Sequence, residues 1–162
     1  MRLLKLLVVL CALAAGQAAA GPFEEAQAAF DKNDYVTAMR LWRPLAEEGN
    51  VDAQNNLGLM YEEGMGVPQD HAMAVSWYRK AADQGSGFAQ FNLGASYHNG
   101  VGVPQDHTQA YMWLDLAAAN LPQQEERITA IRNRDSVAAV MTPAQIAEAQ
   151  RLAREWKPKP GR

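Results

Sequence analysis

Small and apolar residues recur along most of this chain at spacings of three and four, the pattern of helices that bury one face. Ala53, Leu57 and Tyr61 stand four apart, as do Trp77 and Ala81. The pattern then repeats at an offset of 36 residues. Ala53, Leu57, Gly58, Tyr61, Gly64, Gly66, Val67, Pro68, Gln69, Asp70, His71, Ala74, Trp77, Ala81 and Ala82 return unchanged as Ala89, Leu93, Gly94, Tyr97, Gly100, Gly102, Val103, Pro104, Gln105, Asp106, His107, Ala110, Trp113, Ala117 and Ala118. A period of about twenty to fifty residues marks stacked supersecondary units, none of which can bury its apolar face without a neighbour. The expected fold is therefore all-α, a line of helix pairs.

Residues 51–86 and 87–121 are the two full units, each of two helices. Gly58 and Gly94 fall mid-helix, where glycine costs about 1 kcal/mol against alanine, so a partner helix is expected to approach closely there. Between the helices, Gly64 to Pro68 and Gly100 to Pro104 supply a left-handed helix end and a proline that stops the helix continuing. Asp70 and Asp106 stand where an N-cap is wanted. Residues 21–50 read as a degenerate first unit with a shortened turn at Lys32 and Asn33, as an end unit facing water permits. Residues 122–156 read as two closing helices; Thr142, Pro143 and Gln145 give the second a capping box with proline at its first position. Residues 157–162, with Pro158, Pro160 and Gly161, are expected to be a disordered tail.

The chain's ends and charge narrow its setting. Arg2 and Lys5 precede an apolar run from Leu6 to Ala15 that ends in Ala18, Ala19 and Ala20. This is the form of a secretory signal peptide, residues 1–20, with cleavage after Ala20. A lipid anchor on Cys11 is the rival reading, and the bulky Leu10 before it argues against that. Removing residues 1–20 removes the single cysteine, so disulfides, thiolate nucleophiles and thiolate metal ligands are excluded from the mature chain. Gly21 to Asn120 carries thirteen Asp plus Glu against five Lys plus Arg, whereas Leu121 to Arg162 carries five against eight. An acidic body repels phosphate backbones, so no nucleic-acid partner is expected. Beyond the signal there is no stretch apolar enough to cross a membrane.

The pattern Ala-x-x-x-Leu-Gly-x-x-Tyr-x-x-Gly-x-Gly-Val-x-x-Asp-x-x-x-Ala-x-x-Trp-x-x-x-Ala-Ala, present from Ala53 to Ala82 and again from Ala89 to Ala118, resembles the Sel1-like repeat, a relative of the tetratricopeptide repeat with a longer turn. The segments from Ala29 to Tyr35 and from Met141 to Gln150 look like terminal elements of exported bacterial members. The resemblance implies a right-handed superhelical solenoid of antiparallel helix pairs that serves as a protein-binding adaptor or regulator without shared catalytic residues. Exported relatives have been linked to polysaccharide secretion, control of membrane signalling kinases and host interaction. One branch with a disulfide in each repeat is associated with penicillin binding; this chain lacks those cysteines.

Candidate chemistry is sparse. His71 and His107 are one repeat step apart, each beside a single Asp, and do not converge as metal ligands must. They read as exposed first-turn residues. Glu24-Glu25, Glu47-Glu48, Glu62-Glu63 and Glu125-Glu126 are adjacent pairs whose side chains diverge by about 100° on a helix, so they do not form catalytic carboxylate pairs. No serine lies in a nucleophile-elbow motif, and the Gly-x-Gly string lacks the strand and Gly-Lys-Ser/Thr of a phosphate loop. No enzyme activity, cofactor or metal is expected.

With tetratricopeptide-like geometry, the concave groove is lined from the first helix of each unit: Asp52, Asn55, Leu59 and Glu62, then Phe88, Phe91, Ala95 and His98. A polar, acidic half adjoins an aromatic half, which suits a peptide anchored by aromatics and steered by charge. The alternative for Phe88 and Phe91 is that they fill the gap between units. The expected function is an exported, periplasmic or secreted, non-enzymatic scaffold for a protein or peptide of the cell envelope. The alternative partner is a glycan of the cell-wall or polysaccharide machinery, stacked on Trp and Tyr rings.

Overall fold

The computed structural model describes residues 21–160; the expected signal peptide lies outside them. These residues form eight helices: α1 (Pro22–Asp31), α2 (Tyr35–Glu47), α3 (Val51–Glu63), α4 (His71–Asp83), α5 (Gly87–Asn99), α6 (His107–Asn120), α7 (Gln124–Ala138) and α8 (Pro143–Glu155). Among the described residues there is no strand. Local chemistry sets the boundaries. The Asp70 and Asp106 carboxylates accept from the backbone N–H groups of Met73 and Gln109 at 2.9 and 3.0 Å. Asn50 and Ser86 cap α3 and α5 in the same way. Thr142 and Gln145 form the expected reciprocal capping box. Gly64 and Gly100 end α3 and α5 in the left-handed conformation.

Packing within each unit accounts for the mid-helix glycines. A Cβ on Gly58 would run into the ring of Tyr78, and one on Gly94 would stand 2.8 Å from Leu114 Cγ. The second glycine of each turn has a separate reason. Gly66 and Gly102 both hold φ of 71°, and their turns rest on the first turn of the preceding unit's second helix. A side chain there would strike the backbone of Tyr35 or His71.

Between units the apolar core runs on through shared residues, with Tyr61 packed against both the cluster around Trp42 and Leu57 and the cluster around Tyr78 and Leu93. Two polar links recur with the repeat. Gln54 and Gln90, both buried, donate to Ala46 O and Ala82 O of the preceding unit at 2.9 and 3.2 Å. Their own carbonyl oxygens accept from Gln84 and Asn120 at 2.8 and 2.9 Å. Arg43 donates to the Tyr61 hydroxyl at 2.9 Å, and Arg79 to the Tyr97 hydroxyl. One repeat step on, Asp115 replaces the arginine and accepts from Arg134 of α7 at 2.8 Å.

The C-terminal helices α7 and α8 both pack on α6. Trp156 meets Trp113 edge-on with ring centroids 6.3 Å apart, and Gln150 donates to the Tyr111 hydroxyl at 3.2 Å. Residues 157–160, assigned from sequence to a disordered tail, instead run back to α4. Lys159 gives Asp83 both its backbone N–H, to the carbonyl at 2.8 Å, and its ammonium, to the carboxylate at 3.0 Å. Proline-rich composition pointed to disorder because it does not register a single long-range ion pair.

Candidate partner-binding site

Helices α3 and α5 are joined by Asn92 Nδ2 donating to Asn55 Oδ1 at 3.5 Å, and the residues expected to line a shared groove meet different surroundings. Asp52 is exposed, and Asn55, Leu59, Ala95 and His98 are half-buried. Glu62 is engaged within its own unit: Tyr78, fully buried, donates its hydroxyl to Glu62 Oε2 at 2.5 Å. Burial and this bond hold the Tyr78 phenol well above its ordinary pKa. In the next unit both partners change together, to His98 and Leu114. Glu62 thus satisfies the hydrogen bond of a buried hydroxyl, a role that its register position does not disclose.

The two phenylalanines separate. Phe88 is 45% exposed at the start of α5. Phe91 packs against Ala117, Leu121 and Ala130 and against the main core, so it fills the gap between α5 and the C-terminal helices. Helix α7 was not placed beside α5 by the sequence pattern, and that placement decides the matter. Between α5 and α7 lies a cleft of about 460 Å³ lined by Phe88, Phe91, Asn92, Leu121, Glu125, Glu126 and Thr129. Its base is apolar and its α7 wall acidic. Leu121 and the α7 residues escaped sequence reasoning, since they lie beyond the second repeat and carry no motif.

Of the aromatic residues in the two full units, Trp77, Tyr78, Tyr97 and Trp113 are buried and Tyr61 is half-buried; Trp42, one residue out of the Trp77 register, is buried as well. His71 and His107 are half-buried rather than exposed, and His107 lies beside His98 with ring centroids 5.4 Å apart. The turn between α5 and α6 folds His107 back toward the end of α5. Among the described residues no three His, Cys, Asp or Glu side chains are grouped to hold a metal ion, and no helix is long and apolar enough to cross a membrane.

Family comparison agrees with the architecture. The Sel1 repeat model matches residues 51–86 and 87–120. The chain belongs to the Sel1-like repeat family. It is similar in structure to a protective antigen present in uropathogenic Escherichia coli strains that displays an SLR fold, with TM-score 0.76 and 31% identity over 83% of this chain and 29% of that one. It is also similar to a Sel1 repeat protein from Oxalobacter formigenes, with TM-score 0.59 and 28% identity over 73% of this chain and 55% of that one. The chain thus spans under a third of the first protein's length and about half of the second's. No curated protein matches it. The fold is the right-handed solenoid of antiparallel helix pairs that the sequence resemblance implied.

Proposed function

We propose that this chain is an exported, non-catalytic Sel1-like scaffold that holds a protein or peptide of the cell envelope along the face of its first helices. The observation that carries this reading is Phe88, a large aromatic exposed at the mouth of a cleft with an apolar base. Exposed aromatics beside such clefts are the usual anchors of interface energy. The amino-terminal basic and apolar pattern supports export, with the periplasm as the expected address.

A protein partner is favoured over a glycan. Stacking on sugars calls for accessible indole or phenol faces; Trp42, Trp77, Tyr78 and Trp113 are committed to the core, and the half-buried Tyr35, Tyr61 and Trp156 pack against neighbouring apolar residues. The test is crosslinking of tagged protein in its native cells after fractionation. Recovery with a specific envelope protein supports the scaffold, and recovery in the cytoplasmic fraction without a partner refutes it.

A further inference from the structure

Between the carboxyl ends of α2 and α4 lies a second cleft, of about 640 Å³, lined by Glu47, Gln54, Lys80, Asp83, Lys159 and Pro160. Lys159 and Pro160 belong to the extended segment after α8, so the chain's own residues 157–160 sit at its edge. Asp83 is the last residue of α4, and its carbonyl has no partner within the helix. The N–H of Lys159, the single backbone donor between Pro158 and Pro160, donates to that carbonyl at 2.8 Å. Its ammonium pairs with the Asp83 carboxylate at 3.0 Å, at the negative end of α4. The prolines restrict Lys157 and Lys159 to extended backbone, so the segment loses little freedom on seating.

This seat is weakly held and only half used. The Lys159 side chain is 69% exposed, and an ion pair so open to water contributes little. Glu47 stands one repeat step before Asp83, ends α2 as Asp83 ends α4, and has no ion pair among the described residues. Lys80, the other cation lining the cleft, lies over the Trp77 ring at 3.9 Å.

We infer that residues 157–160 are a displaceable strap, the tethered occupant of a docking site for extended, proline-flanked basic segments. The strap itself shows the chemistry the site accepts: one backbone N–H for a helix-end carbonyl and one ammonium for the carboxylate beside it. A partner segment that offers cations to both Asp83 and Glu47 outcompetes a strap that reaches Asp83. The site shares no lining residue with the cleft at Phe88 and does not depend on the reading above.

The test follows full-chain wild type and Lys159→Ala by heteronuclear NMR while a capped synthetic peptide with the sequence of residues 157–162 is added. Lys159→Ala should shift the amide signals of Gln84 and Gly85 before peptide is present, and the peptide should shift them back. Its affinity for Lys159→Ala should be about threefold or more tighter than for wild type, as expected when a strap fills the site at least about two-thirds of the time. Binding should weaken with salt and in Asp83→Asn. Glu47→Gln should weaken the peptide while leaving the strap's own signals in place, a split that general damage to the fold would not produce. Identical Gln84 and Gly85 signals in wild type and Lys159→Ala, or equal peptide affinity for the two, would overturn the strap. No shift in Lys159→Ala at about 10 mM peptide, above the mM effective concentration of a short tether, would overturn the docking site.

Discussion

Replacing Gly58 with alanine sets two well-characterised effects against each other. Alanine is favoured over glycine in a helix interior by about 1 kcal/mol, so on propensity alone Gly58→Ala stabilises α3. The structure reverses that expectation, because the new Cβ falls on the ring of Tyr78. That ring is fully buried and tied at its far end to Glu62 at 2.5 Å, so it has little room to withdraw. Overpacking of this kind costs roughly 1–3 kcal/mol. With the propensity gain included, the net is a destabilisation of up to about 2 kcal/mol. Urea denaturation of wild type, Gly58→Ala, Tyr78→Val and the double variant measures both terms. With the ring withdrawn, Gly58→Ala should become neutral or stabilising, so the cycle should show a coupling of at least about 1 kcal/mol. A stabilising Gly58→Ala in the wild-type background, or equal effects with and without the ring, would refute the close-approach explanation of the glycine.

Three further outcomes follow from the same contacts. Phe91→Ala should lower stability by roughly 2–3 kcal/mol, somewhat below the cost of truncating a fully buried aromatic, while Phe88→Ala should cost under about 1 kcal/mol; thermal melts that ranked them the other way would contradict their placement. Deleting residues 142–162 strips Ala149, Leu152 and Trp156 from the face of α6 and should lower stability by several kcal/mol, since each buried large side chain contributes about 1.5–3 kcal/mol; a truncated protein that melted with the full chain would contradict this. Tyr78 is held neutral in the folded state beyond the pH, near 10, at which an unfolded tyrosine ionises. The unfolded chain therefore loses its proton first, and stability should fall as pH rises above about 10, by less in Tyr78→Phe than in wild type. Parallel pH profiles of the two proteins would remove Tyr78 as the cause.

The parts of the fold legible in the sequence are those where one residue type answers one local demand. Asp70, Asp106 and Thr142 cap helices from their own positions, and the glycines of α3 and α5 needed only the repeat to identify them as packing residues. What escaped was fixed by relations between elements. Gln54 and Gln90 belong to no motif, yet each is buried, donating to a backbone carbonyl of the preceding unit. Arg43 and Arg79 recur at the repeat period, but their tyrosine partners lie 18 residues away in the next unit. At the candidate site, Phe88 and Phe91 looked equivalent by spacing. Only the position of α7, which has no repeat counterpart in sequence, leaves the first exposed and covers the second. The same helix brings Glu125 and Glu126 into the cleft, so acidic residues that read as a solvated helix end become one wall of it.

Crosslinking in native cells, with quantitative mass spectrometry of what co-purifies with tagged protein, tests the scaffold reading most directly when wild type is compared with Phe88→Ala. The expected result is a specific envelope protein enriched with wild type and depleted with the variant, which should remain folded and equally abundant. Equal recovery of the same partners from both proteins, or no enriched protein from wild type, would contradict binding at the face that Phe88 marks.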